Sequence, residues 1–111
     1  MDQSEARLQE ECYIYFHNTY PHLRGLFFKI KNEGTNKITG ARDKATGLVA
    51  GVADSCMLVD GIAIFIEFKT ETGKQSPAQK SWQNTIQESG YQYYIIRNLT
   101  NFKYLCQNIL G

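Results

Sequence analysis

The run Ile62-Ala63-Ile64-Phe65-Ile66-Glu67-Phe68-Lys69 is apolar until an acid and a base appear two residues apart. Such a run, rich in β-branched and aromatic residues, reads as a strand. Strand side chains alternate faces, so Glu67 and Lys69 point one way while Ile64, Ile66 and Phe68 point the other. Burying the two charges unpaired would be costly. Just upstream, Asp60-Gly61 is a two-residue hairpin signal. With that turn Val59 pairs with Ile62, and counting outward sets Asp54 across from Glu67. Opposed residues have Cβ atoms roughly 4.5–5.5 Å apart, so two carboxylates there repel. A shared proton would relieve the pair, as would a divalent cation, and oxygen ligands of this kind suit Mg²⁺ or Mn²⁺. Lys69 would neutralise charge or position a water. Together these groups suit phosphodiester hydrolysis, where charge builds on phosphoryl oxygens. The competing reading is a solvated Glu-x-Lys pair on an exposed sheet face, with Asp54 merely ending a loop.

Positioning these groups requires a frame. Ser4 is a candidate N-cap for a helix running to about Tyr20, before Pro21. Leu8, Cys12, Tyr15, Phe16 and Thr19 recur on it at helical spacing. Glu5 lies three residues before Leu8, on the inward side, from where it could reach the same metal. Leu26 to Ile30 reads as a short strand, and Asn32 to Thr46 as a long polar loop, a length that suggests function. Strands are expected near Asp54–Val59 and Ile62–Lys69. Ser76 caps a helix with Pro77 at its first position. This helix carries Trp82 and stops at Gly90, and Gln79 near its start could orient the lysine or the water. Tyr91 to Ile96 is a further strand, and Asn101 is expected to cap a last helix. The order α-β-β-β-α-β-α makes an α/β fold with a mixed central sheet flanked by helices.

The chain of 111 residues suits one domain, 1–111. Its apolar share of 42% is enough for one core, and a charged share of 21% does not suit a disordered polyelectrolyte. The net charge of +1 is less informative than its distribution. Between Arg24 and Lys44, the bases Arg24, Lys29, Lys31, Lys37, Arg42 and Lys44 stand against only Glu33 and Asp43. A basic stretch beside an acidic centre could hold a polyanion against a metal, or be a solvated loop. Cys12, Cys56 and Cys106 are odd in number and lack CxxC spacing, which argues for small buried hydrophobes over zinc or disulfides. Met1 to Glu11 is polar and acidic, unlike a signal peptide. No apolar run approaches the roughly 20 residues of a membrane span. A reducing, soluble compartment is expected. His17 and His22 read as surface or helix-end residues. Tyr91, Tyr93 and Tyr94 could stack bases, although strand aromatics usually pack.

Several segments together resemble the virus-type replication-repair nuclease (VRR-NUC) domain of the PD-(D/E)xK nuclease superfamily. They are Ser4-Glu5-Ala6-Arg7-Leu8-Gln9, Gly51-Val52-Ala53-Asp54, Ile66-Glu67-Phe68-Lys69-Thr70, Gly73-Lys74-Gln75-Ser76-Pro77-Ala78-Gln79, Trp82 and Gly90-Tyr91. They occur in the family's order and cover most of the chain. The resemblance implies a restriction-endonuclease-like core and dependence on Mg²⁺ or Mn²⁺. It implies Asp54 and Glu67 as metal ligands, with the Phe68 carbonyl as a third. Lys69 would be the catalytic lysine, Gln79 the supporting glutamine and Glu5 the helix-borne acid, with Glu10 and Glu11 as competitors for that last role. Ala53 stands where the superfamily often has Pro. Lys31-Asn32-Glu33-Gly34-Thr35 only loosely resembles the family's Asn-Gly-Gly-type loop.

The implied activity is a DNA endonuclease acting on branched or structured DNA, in the manner of Holliday-junction resolvases, as a homodimer. The implied setting is the cytoplasm of a bacterial cell or phage-infected host. Lys29, Lys31, Lys37, Arg42, Lys44 and Lys74 are the candidate DNA contacts. The rivals are a sequence-specific or exonuclease-like processing nuclease, and a nucleic-acid-binding module that has kept the fold without catalysis. A degenerate module would be expected to have lost Asp54, Glu67 or Lys69, and all three are present.

Overall fold

The Asp60-Gly61 turn organises the centre of the molecule. Asp60 and Gly61 both take positive φ, 49° and 78°, as a type I′ hairpin turn requires. It joins β2 (Ser55–Val59) to β3 (Ile62–Phe68) in the expected register, from Val59 opposite Ile62 to Ser55 opposite Ile66. The computed structural model describes residues 4–31 and 37–111. Its other strands are β1 (Phe27–Lys29), antiparallel to β2, and β4 (Gln92–Ile96), parallel to β3. The sheet order is β1-β2-β3-β4, the expected mixed α/β arrangement.

Helix α1 (Glu5–Thr19) starts at Ser4, whose hydroxyl accepts the Arg7 N–H, and Pro21 opens the short 3₁₀ turn that follows it. Helix α3 (Pro77–Glu88) starts with a capping box in which Ser76 and Gln79 satisfy each other's backbone N–H groups. It closes at Gly90, where the Gly90 and Tyr91 amides donate back to Gln87 and Ile86.

Two expectations need correction. Residues 37–45 form a helix, α2, inside the stretch read as a loop. Its end is a Schellman closure: Gly47, at φ 109°, donates to Lys44 O and Leu48 donates to Asp43 O. The last helix, α4 (Leu99–Leu110), is capped by Asn98, not Asn101, because the Asn98 side chain accepts the Asn101 N–H at 2.8 Å. The stretch Asn32-Glu33-Gly34-Thr35 lies outside the described residues.

The sheet has two unlike faces. Met57, Ile64, Ile66, Phe68 and Ile96 pack with Phe27 against Leu8, Cys12 and Phe16 of α1 and Phe102, Leu105 and Cys106 of α4. Each such large side chain contributes roughly 1.5–3 kcal/mol through its burial. Burial pushes the Cys12 and Cys106 thiols up to about 12, and all three cysteines are free and buried. Across the sheet, Phe65 meets the edge of Trp82 from α3 at 5.1 Å, and Trp82 leans on Tyr93 at 6.0 Å. Among the described residues, no helix is long and apolar enough to cross a membrane.

Candidate active site

The segment leading to Asp54 is seated on the start of α3. Gly51 has φ +83°, and a Cβ there would lie 2.2 Å from the Ala78 carbonyl oxygen. A side chain fits neither the space nor the backbone conformation. Beyond it, Asp54 is held from two directions. Its backbone carbonyl accepts the Ile30 N–H at 2.8 Å, and its carboxylate Oδ2 accepts the Phe68 N–H at 2.7 Å. The β2–β3 ladder accordingly ends at Ser55, one residue short of expectation, because the Asp54 side chain takes over where the backbone pairing stops. Along a strand the N–H and C=O of one residue share an edge. The Phe68 carbonyl is therefore turned to the Asp54 side, while the neighbouring Lys69 N–H donates to Ile96 O in the opposite direction.

Glu67 is fully buried, at 0% exposure, and Lys69 nearly so at 7%; with Ser55 they are the buried polar side chains among the described residues. The Tyr93 hydroxyl donates to Glu67 Oε1 at 2.5 Å. The other oxygen, Oε2, has no hydrogen-bond partner among the described residues. Burial raises the Glu67 carboxyl above the usual carboxylate range, and the nearby Asp54 charge adds to the rise. The Tyr93 hydrogen bond, the Lys69 charge and Gln75 oppose the shift without cancelling it. Burial, then the bond to Glu67, raises the Tyr93 phenol, which stays a donor. The solvated-pair reading of Glu67 and Lys69 therefore fails, since both are inside.

The structure thus brings Asp54, Glu67, the Phe68 backbone and Lys69 to one place. Gln79 sits differently from expectation. Its side-chain oxygen is taken by the Ser76 N–H in the capping box, and its backbone borders Gly51. Gln75 is the glutamine near the acid: its side-chain N–H donates to Gln83 at 2.9 Å, and its amide favours the charged forms of Glu67 and Tyr93. Glu5 is exposed in the first turn of α1. Among the described residues, no three acidic, His or Cys groups gather as a metal set, so Glu5 does not join Asp54 and Glu67. Helix α1 touches the site region through Tyr13, whose hydroxyl donates to Ser55 Oγ at 2.9 Å.

The residues after Lys69 are also tied down. Arg97 donates to the carbonyls of Thr70 and Gly73, each at 2.7 Å, and Asn98 donates to Glu71 at 2.9 Å. Lys29, Lys31, Arg42, Lys44 and Lys74 are exposed, and the Lys37 side chain lies outside the described residues. Next to the Asp54 loop, a cleft of about 370 Å³ is lined by Ile30, Lys31, Asp43, Leu48, Val49 and Val52, among others. His17 and His22 are exposed, as expected.

Tyr93 and Gln75 were not singled out for the site by sequence. Gln75 stands in the Gly73–Gln79 segment, but nothing local distinguishes it from Gln79. Tyr93 reaches Glu67 across a parallel strand pair that no short turn fixes.

No family model matches the sequence, and no curated protein matches it. Solved structures do. One described as a "VRR_NUC domain protein" superposes with a TM-score of 0.81 at 17% identity, covering 97% of this chain and 88% of its own. Another, described as a "VRR_NUC domain", gives 0.62 at 22% identity, covering 93% and 94%. Over nearly its whole length, this chain has the VRR_NUC fold.

Proposed function

We propose that this protein is a Mg²⁺- or Mn²⁺-dependent DNA endonuclease that acts on branched or structured DNA. The observation that carries the reading is Glu67: a fully buried carboxylate with one oxygen bonded and the other without a partner among the described residues, beside Asp54 and Lys69. A buried, unpartnered carboxylate oxygen is costly. A divalent cation between Glu67 Oε2, the Asp54 carboxylate and the Phe68 carbonyl would relieve that cost, and the all-oxygen donor set suits Mg²⁺ or Mn²⁺. When bound, such an ion supplies a Lewis acid for the phosphoryl oxygen and lowers the pKa of water.

The chain's own residues do the rest. The Phe68 N–H holds Asp54 in place, and the Gly51 seat on α3 fixes the segment that delivers it. Lys69, on the same strand face, puts positive charge where negative charge develops on the phosphate, or aligns the attacking water. Gln79 acts as a positioning residue through the α3 cap. Lys29, Lys31, Lys37, Arg42, Lys44 and Lys74 supply cations for the DNA backbone. A domain this small gains reach over a four-way junction by pairing as a homodimer, with two-fold symmetry matching two sites to two strands. The cytoplasm of a bacterial or phage-infected cell suits its free thiols.

The test is cleavage of duplex, flap, nicked and four-way DNA by wild type and Lys69→Ala with Mg²⁺ or Mn²⁺. Cutting by wild type that is lost in Lys69→Ala supports the reading. If wild type cuts nothing, the enzymatic reading falls and a binding module remains. Equal cutting of all substrates, or cutting from ends alone, replaces the branched-DNA preference with a general or exonuclease-like one.

A further inference from the structure

Tyr93 has two features that packing alone does not require. Its ring is fixed against Trp82, which is in turn fixed on Phe65. Its hydroxyl ends on one particular oxygen of Glu67, at 2.5 Å, in a place where the second oxygen is buried and unpartnered among the described residues. A carboxylate with no such tether can turn about its last torsion and offer both oxygens to a cation. With Oε1 held, it offers one.

We infer that Tyr93 is a positioning residue that locks Glu67 to present Oε2 alone to a divalent cation. The inference rests on the reading of Asp54 and Glu67 as a metal-binding pair. The donor comes from β4, so it joins the far side of the sheet to the hairpin that carries the acids. Because the Trp82 contact settles the ring, the hydroxyl is in place before any cation arrives. This arrangement favours a small, usually six-coordinate cation such as Mg²⁺ or Mn²⁺ over a larger one of higher coordination number. Ca²⁺ accepts carboxylates through one or both oxygens and loses less when the tether is removed.

Calorimetric titration of the full chain with Mn²⁺ and with Ca²⁺, alongside thermal melting, tests this without reference to cleavage. Tyr93→Phe keeps the ring and removes the donor. The expected result is an unchanged fold by circular dichroism, Mn²⁺ affinity lower by about 10–100-fold, as for other outer partners of metal ligands, and a smaller loss for Ca²⁺. In a Glu67→Gln background, Tyr93→Phe is expected to leave the residual Mn²⁺ affinity unchanged. Trp82→Phe keeps the hydroxyl but loosens its seat, and carries the test if Tyr93→Phe does not fold; a smaller loss in the same direction is expected. Wild-type affinity in the folded variants overturns the inference, as does an equal loss with and without Glu67. If wild type itself binds no Mn²⁺, it is the metal pair that falls, and the positioning role with it.

Discussion

The two faces of β3 are built from alternating residues of one strand and obey opposite rules. On one face Ile64, Ile66 and Phe68 are buried among apolar neighbours from α1 and α4, and every contact lowers the free energy of the folded state. On the other, Glu67 and Lys69 are buried just as deeply, in a place where a charge is expensive. The first face holds the fold together, and the second is tolerated because the first is there. Local cost without local return is what a functional site looks like in an otherwise consistent sequence.

This contrast is broken most sharply by substituting neighbours of opposite face. Phe68→Ala is expected to cost roughly 3–5 kcal/mol, a large part of the roughly 5–15 kcal/mol that holds a domain together. Glu67→Gln, one residue away, is expected to leave the melting temperature equal or higher while abolishing metal-dependent cleavage. The pH dependence gives the sign. A carboxyl raised in the folded state binds its proton more tightly there than in the unfolded chain. Its contribution is fully present below the unfolded value of 4.5 and is lost as pH rises through the higher folded value. In chelator, the stability of Glu67→Gln relative to wild type therefore grows from pH 4.5 upward. Melting curves of both proteins from pH 4 to 8 check this, and a gap that narrows with pH would show that the acid is not desolvated.

How much of this could be read from sequence depends on how each feature is specified. The β2–β3 register follows from two adjacent residues, Asp60 and Gly61, and so was legible, and with it the approach of Asp54 to the end of β3 that carries Glu67. The caps at Ser4 and Ser76 are equally local. Helix α2 was not legible, because Lys37–Ala45 is mostly polar, with a glycine inside and little apolar periodicity. Its clearest mark, Gly47, is equally at home in a loop. At α4, Asn98 and Asn101 are both acceptable caps, and only the fold chooses between them. The bond from Tyr93 to Glu67 depends on a parallel pairing that passes through the whole of α3, so no spacing rule reaches it.

Intermediate effects should come from residues that join the two faces' supports. Gly51→Ala adds a Cβ against the α3 backbone at a positive φ. The expected cost is about 1–3 kcal/mol, with Mn²⁺ affinity falling because Asp54 is displaced. A melting shift without any change in Mn²⁺ titration would mean that Asp54 keeps its place independently of the seat. Ser76→Ala removes the α3 cap at about 1 kcal/mol and is expected to act on the same seat more gently.

The smallest stability effect, and the cleanest separation of binding from folding, belongs to the exposed cations. Arg42 and Lys44 are exposed on α2, on either side in sequence of Asp43, which lines the cleft beside the Asp54 loop. Neither supports the core, so Arg42→Ala or Lys44→Ala should move stability by no more than about 0.5 kcal/mol. If these side chains meet phosphates, each substitution should weaken DNA binding across sequences alike and lower the salt dependence of log affinity by about one. Binding isotherms from low to moderate salt measure that slope directly. An unchanged slope would remove α2 from the DNA surface and shift attention to Lys29, Lys31 and Lys74, whereas a changed slope with an unchanged melting temperature would show a basic edge that serves binding alone. Glu67 differs from that edge in being buried and acidic, so Glu67→Gln should abolish cleavage without lowering the slope.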